Sequence, residues 1–378
     1  MSLQLAKKKH AKSFMRLLQV MPCDYEEYDL SRLTFAFFSI SGLDMLNMLD
    51  ELSEEEKKHA IDWIYMLHVK GRGAYDGFQA STMIPDCIED RQRGHLAMTY
   101  TGLATLLVLG DDFGRIRPYR KSFARALRHL QQPDGSFSAM TIGTESDMRF
   151  LYCACCVSFI LDDWDGVDKP KAIDYILQSI SYDGAMGQGP GLESHGGSTF
   201  CAVASLVLMN ELQNVLSNER VDRLRRWCVM RQNDGFHGRP GKPSDTCYSF
   251  WIGATLRLLD FEKYSDPQQN RDFVLSTQDT EIGGFGKFQN TVSDPLHTYL
   301  GKILLSNSNI NYVARRITEA SQSSIRVNNN CVFLFSDSTR SRRFESARRA
   351  GIASDERRSQ HIQSSLRALT DYSQEVEN

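Results

Sequence analysis

The sequence predicts an all-α fold, an α/α toroid of repeated helical hairpins over residues 1–306, with an atypical, disordered tail over residues 307–378. Three observations predict it. A turn pattern recurs as Asp134-Gly135, Asp183-Gly184 and Asp234-Gly235, 49 and 51 residues apart, and Gly283 follows Asp234 by another 49. Tyr75-Asp76-Gly77-Phe78 reads as an earlier copy, 58 residues before Asp134. Asp-Gly favours a tight turn because Gly accepts positive φ and Asp bonds locally to the backbone, and a period near fifty signals a helical-hairpin array. Between the turns, strongly apolar helices over 94–110, 147–161, 195–209, 244–259 and 294–306 alternate with charged amphipathic ones such as 120–131 and 219–231. In the fourth apolar segment Tyr248, Ile252, Leu256 and Leu259 share one helical face. Helices apolar almost all round need cover on both sides, which two concentric rings provide better than an open solenoid. Strand signals are nearly absent.

Composition narrows the function classes. The 378 residues are 41% apolar and carry a formal charge of −3, which argues against a bulk electrostatic affinity for nucleic acid or acidic membranes. No apolar run is long enough for a membrane span, and no apolar N-terminal signal is present. Nine cysteines then read as free thiols in a reducing, cytoplasmic setting. Cys153, Cys155 and Cys156 lie in the apolar stretch 150–161 and read as core residues.

Three sets of residues point to chemistry at one end of the inner helices. Asp245 and Cys247 open one inner helix and His297 opens the next, so the three converge if neighbouring hairpins lie side by side. Three protein ligands with a fourth position open is a catalytic zinc pattern, whereas four ligands close a structural site. Asp-x-Cys alone is equally an N-cap followed by a core cysteine; His297, one repeat later in register, favours the metal. Arg239 and Lys242 precede that helix, with His195-Gly196-Gly197 one repeat earlier and Tyr248 beside the metal pair. Such donors around helix N-termini suit a phosphate or diphosphate, although the basic loop by itself is also what a solvated surface looks like. Tyr100, Phe150, Tyr152, Phe200, Phe250, Trp251 and Tyr299 recur near inner-helix starts. They are either barrel core or the lining for a long hydrocarbon tail.

The segments 31–38 (SRLTFAFF), 94–100 (GHLAMTY), 147–150 (DMRF), 191–198 (GLESHGGS) and 245–251 (DTCYSFW) resemble the β subunits of CaaX protein prenyltransferases, and among them those of the type I geranylgeranylating enzyme. The resemblance runs from about Lys9 to Leu300. It implies an α/α toroid that binds zinc, geranylgeranyl diphosphate and CaaX-terminated proteins such as small GTPases, paired with a helical α subunit. By motif it makes Asp245, Cys247 and His297 zinc ligands. His195, Gly196, Gly197, Arg239, Lys242, Tyr248 and Trp251 match the lipid diphosphate site, with Arg149 on the same wall. His95, Ala97 and Phe150 match positions that receive the peptide's last residue, typically Leu. Thr34 stands where the farnesylating relative has Trp, leaving depth for a further isoprene unit. Lys287 stands where that relative has a magnesium-binding Asp, which implies that Mg²⁺ is dispensable.

After Leu300 the resemblance fails abruptly, and residues 307–378 do not read as family sequence. Residues 307–378 are rich in Ser, Asn and Arg, and 339–358 hold seven Arg against three acids. With so little apolar sequence there, the helix beginning near Asp294 is expected to lack a covering neighbour, leaving the barrel unclosed. The alternatives are a Rab-type or farnesyl-type prenyltransferase β subunit, a terpene cyclase on the same toroid, and an inactive variant with an incomplete barrel.

Overall fold

A computed structural model of the chain describes residues 4–19, 31–70, 76–82, 94–141 and 144–305, without the side chains of 302–305. The expected disorder of 307–378, and Tyr75 of the earliest repeat copy, lie outside the described residues. Among the described residues the helices are α1 (Lys7–Gln19), α2 (Arg32–Met45), α3 (Glu54–Met66), α4 (Leu96–Val108), α5 (Arg120–Leu130), α6 (Met148–Ile160), α7 (Lys169–Gln178), α8 (Gly196–Leu208), α9 (Leu212–Val215), α10 (Asn218–Val229), α11 (Tyr248–Leu258), α12 (Pro267–Ser276) and α13 (Pro295–Leu305).

Burial sorts them into two layers. On α4 every residue from Thr101 to Val108 is buried, whereas α10 buries only Leu224, Trp227 and Cys228, the i, i+3, i+4 signature of one covered face. The outer helices α3, α7, α10 and α12 begin on polar caps. Ser53 and Glu56 form a reciprocal capping box on α3, and Asp168 and Asp266 cap α7 and α12 just ahead of Pro170 and Pro267. The inner helices α2, α4, α6, α8, α11 and α13 each pack against the next, and α13 packs against α2.

The ring therefore closes, contrary to the expectation of an unclosed barrel. Tyr299 of α13 stacks on Phe38 of α2 at 4.9 Å and meets Phe37 edge-on at 5.4 Å. The sequence argument looked for α13's neighbour downstream in the tail; the neighbour is α2, near the other end of the chain. Outside this seam lies α1, packed on α2.

The repeat turns are as expected, except that neither Gly77 nor Gly235 adopts positive φ. Gly135 and Gly184 take φ of 94°, and Asp134 accepts from the Ser136 amide at 3.0 Å. A Cβ on Gly235 would lie 2.2 Å from the Phe273 ring, so close packing is what requires glycine there. Each turn is pinched by a short antiparallel contact: His68 with Phe78, Gln131 with Phe137, Ile180 with Met186, Gln232 with Phe236 and Gln278 with Phe285. Three of them sit beside two-residue ladders: β1 (His68–Val69) with β2 (Gly77–Phe78), β3 (Phe137–Ser138) with β4 (Ser146–Asp147), and β5 (Phe285–Gly286) with β6 (Ser293–Asp294). Every turn leads back into an inner helix, so all inner-helix N-termini open at one end of the ring.

Candidate active site

Two adjacent hairpins build the first cluster. Asp245 Oδ1 accepts the Cys247 amide at 2.9 Å, so the expected N-cap role and a ligand role coexist. The residue between them, Thr246, is fully buried. Its amide donates to Lys287 O at 3.1 Å, and its hydroxyl bonds Gly286 O at 2.8 Å and Thr277 at 2.9 Å. That seam sets Lys287 Nζ 3.7 Å from Asp245 Oδ2. Just ahead of α13, Asp294 Oδ1 caps the His297 amide at 2.9 Å and its Oδ2 lies 2.5 Å from His297 Nδ1. With Nδ1–H directed at Asp294, Nε2 faces Asp245 Oδ1 at 3.2 Å. One donor atom each from Asp245, Cys247 and His297 lies within 4.8 Å of the others, and all three residues are buried. An oxygen, a sulfur and a nitrogen at this spacing fit a tetrahedral ion with one position left open.

The electrostatics agree with a centre built for a cation. Burial pushes the Cys247 thiol well up, and the Asp245 carboxylate adds to it. Burial also opposes ionisation of Asp245, but bonds from His297 and Cys247 hold its carboxyl below the ordinary range. His297 is pushed down by burial, yet Asp245 and Asp294 outweigh this and lift it to about 9. An arriving metal must displace those protons, so metal affinity is expected to rise between pH 6.5 and 9. For the metal-free protein the sign reverses. His297 is raised above its usual 6.5, so its contribution to stability is full below that value and is lost as pH climbs through about 9. Thermal melts in chelator across this range, against melts with zinc, check both signs.

The second cluster lies across the same opening. His195 caps α8 with Nδ1, which accepts the Gly197 amide at 3.0 Å. Its proton is therefore on Nε2, which donates to Tyr248 Oη at 2.8 Å and leaves the phenolic hydrogen for a ligand. Gly238 makes this approach possible, since a Cβ there would sit 2.1 Å from the Tyr248 ring. Burial and the nearby Arg239 charge hold His195 below its usual pKa, so it acts as a neutral donor. Arg239 pairs at 2.9 Å with Glu193 of the preceding repeat. Arg149 is held by Asp147 at 2.6 Å and Glu145 at 2.8 Å, and Gln188 fixes Asp147 from the next repeat at 2.7 Å.

The interior is a belt of rings. Phe37 meets Tyr100 at 5.8 Å, Tyr100 meets Tyr152 at 5.8 Å, Tyr152 meets Phe200 at 5.4 Å, and Phe200 meets Phe250 at 5.0 Å and Trp251 at 5.2 Å. With Tyr299 on Phe37 the belt passes through all six inner helices. Trp251 belongs to the belt and also borders the Cys247 thiol. His95 Nδ1 accepts the Ala97 amide at 3.2 Å and its ring meets Phe150 edge-on at 5.9 Å, so these three assemble at the α4–α6 seam. Thr34 Oγ1 contacts Met98 Sδ at 3.5 Å between α2 and α4. Sequence reasoning missed Asp294 as the partner of His297, Glu193 as the partner of Arg239, and the Thr246 seam. The Asp-x-x-His spacing was a usable signal for the first; the other two depend on contacts between repeats.

The family model of the prenyltransferase alpha-alpha toroid domain matches residues 5–331, so the family likeness continues past Leu300, where it was expected to end. The chain is 40% identical over 321 residues to the geranylgeranyl transferase type-1 subunit beta of Arabidopsis thaliana, covering 79% of this chain and 84% of that one. It is 37% identical over 323 residues to the subunit of the same name from Dictyostelium discoideum, covering 80% and 90%. Candida albicans protein geranylgeranyltransferase-I, solved in complex with GGPP, superposes with a TM-score of 0.73 at 26% identity, covering 80% of this chain and 91% of that chain. Among the described residues no helix is long and apolar enough to cross a membrane. With a family model spanning most of its length and these relatives along it, the chain belongs to the prenyltransferase α/α-toroid family.

Proposed function

We propose that this chain is the catalytic β subunit of a zinc-dependent, type I protein geranylgeranyltransferase, acting in the cytoplasm with a helical α subunit. It transfers the geranylgeranyl group from geranylgeranyl diphosphate to the cysteine thiol of CaaX proteins, small GTPases among them, that end typically in Leu. The observation that carries this reading is the juxtaposition of the Asp245–Cys247–His297 cluster with the His195–Tyr248–Arg239 opening, above the aromatic belt. The relatives named above support it.

A zinc ion bound by Asp245, Cys247 and His297 supplies a Lewis acid that lowers the pKa of the incoming thiol. The chain's own residues do the rest. The belt from Tyr299 to Trp251 takes the isoprenoid, and Thr34 leaves its far end open. His195 fixes Tyr248 so that the phenolic hydrogen points to the diphosphate. Arg239, Lys242 and Lys287 oppose the charge that grows on the departing diphosphate, where preorganised donors matter most. Lys287, a fixed ammonium, takes the place of Mg²⁺. His95, Ala97 and Phe150 receive the peptide's last side chain.

Co-expression with a prenyltransferase α subunit, followed by transfer assays on CaaX peptides ending in Leu, Met or Ser with and without chelator, tests the whole reading. Chelator-sensitive transfer of the 20-carbon group, best to Leu, is expected; equal transfer with zinc removed would sink it. Arg239→Ala and Lys242→Ala are each expected to weaken prenyl diphosphate affinity or turnover by about 1.5–3 kcal/mol, the usual loss for a charge-assisted phosphate contact. Parent-like binding and turnover in both would reduce that loop to solvated surface. Arg239 must first leave Glu193, so its effect is expected at the lower end of the range.

A further inference from the structure

The helix α1 reaches the last repeat through one fully buried side chain, His10. Its Nδ1 accepts the Gly284 amide at 2.8 Å, its Nε2 lies 3.3 Å from Gln278 Oε1, and its ring stacks on Phe285 with centroids 4.5 Å apart at 20°. Because Nδ1 accepts a backbone N–H, the ring proton sits on Nε2 and donates to Gln278. Gln278 is itself bound to α1's leading segment, taking the Ala6 amide at 3.1 Å and giving to Gln4 O at 2.9 Å. The turn is pressed hard against α1: a Cβ on Gly283 would lie 2.2 Å from Lys9 O.

From this turn two routes lead to the candidate metal ligands. In one, Phe285 pairs with Asp294, whose carboxylate orients His297, and the Phe285 amide donates to Thr298 Oγ1 at 3.0 Å. In the other, Gly286 O and Lys287 O hold Thr246, the residue between Asp245 and Cys247. The segment 284–287 thus touches both halves of the ligand set, and His10 anchors its first residue.

We propose that His10 is a positioning residue for the metal centre, setting the distance between the Asp245–Cys247 pair and His297 through the Gly284–Lys287 strip. This rests on the reading of those three residues as zinc ligands. Partners of metal-ligating histidines are worth about 10–100-fold in metal affinity when removed; His10 acts one contact further out, and its loss is expected to cost roughly tenfold.

The test uses the chain in complex with an α subunit. His10→Phe keeps the volume and the stack on Phe285 but removes the acceptor for Gly284; His10→Asn keeps an acceptor and loses the stack. Zinc affinity is read by chelator competition, and ligand geometry by the thiolate-to-metal band of the Co²⁺-substituted protein. His10→Phe is expected to lose about tenfold in zinc affinity and to shift the Co²⁺ band, with geranylgeranyl diphosphate affinity unchanged; His10→Asn is expected to stay within about threefold. Phe123→Ala, a core lesion in the second repeat, supplies the control. It is expected to lower Tm at least as far with zinc affinity intact. Parent-like zinc affinity in His10→Phe, equal losses in both His10 variants, or a matching loss in Phe123→Ala overturns the proposal. Zinc retained by Cys247→Ala would instead overturn the metal reading beneath it.

Discussion

Replacing Cys247 by Ala is expected to strip zinc from the protein and abolish transfer while leaving prenyl diphosphate binding nearly intact. The sulfur is one of three convergent donor atoms, and no hydrogen bond of the His195–Tyr248–Arg239 opening involves it. Changing a partner of a metal ligand already costs 10–100-fold in affinity, so losing a ligand is expected to exceed about 10²-fold. The fold is expected to survive, because the change removes one small buried atom from the start of α11, a cost of roughly 1–2 kcal/mol. Metal analysis of purified protein, with lipid binding measured in parallel, decides the matter. Stoichiometric zinc in the variant at micromolar concentration would sink the assignment.

Thr34→Trp is expected to turn lipid preference from the 20-carbon to the 15-carbon donor. Thr34 is half-buried on α2, where its hydroxyl touches Met98 across the α2–α4 seam. An indole there fills space that the last isoprene unit would occupy, and each lost methylene-sized contact is worth about 1 kcal/mol. A swing on the order of 10²-fold in the ratio of kcat/KM values is expected, with Tm little changed. An unchanged ratio in a folded variant would mean that the length of the accepted lipid is set by other parts of the belt.

Much of this was legible in the sequence because the signals are local. Helix starts, turn glycines and the i, i+3, i+4 faces depend on neighbours a few residues away, and the predicted inner helices fall within three residues of the observed ones at nearly every end. Asp245, Cys247 and His297 were legible through register, since equivalent positions of adjacent repeats must meet. The exception is instructive. Closure of the ring depends on Tyr299 meeting Phe37 and Phe38, and no periodicity reports which repeat follows the last one in space. The partners of the cations, Glu193 for Arg239 and Gln188 for Asp147, likewise sit one repeat away and leave no spacing signature. Asp294 was read as a helix start, which it is, and its second role needed the rotamer of His297.

The seam between α13 and α2 also bears on how the chain comes off the ribosome. The His10–Gly284 hydrogen bond joins residues 274 apart. At about 5–20 residues per second, α1 and the exposed flank of α2 wait on the order of 15–50 s for the hairpin that will cover them. During that interval Phe37 and Phe38 wait for Tyr299 on a growing stack whose next surface does not yet exist. Contacts this distant in sequence close slowly even once synthesised, because the loop entropy is lost before any contact forms. The nascent subunit therefore passes through a long-lived open spiral with a sticky aromatic edge at each end, the stage at which a chaperone or a second subunit has most to gain by holding it.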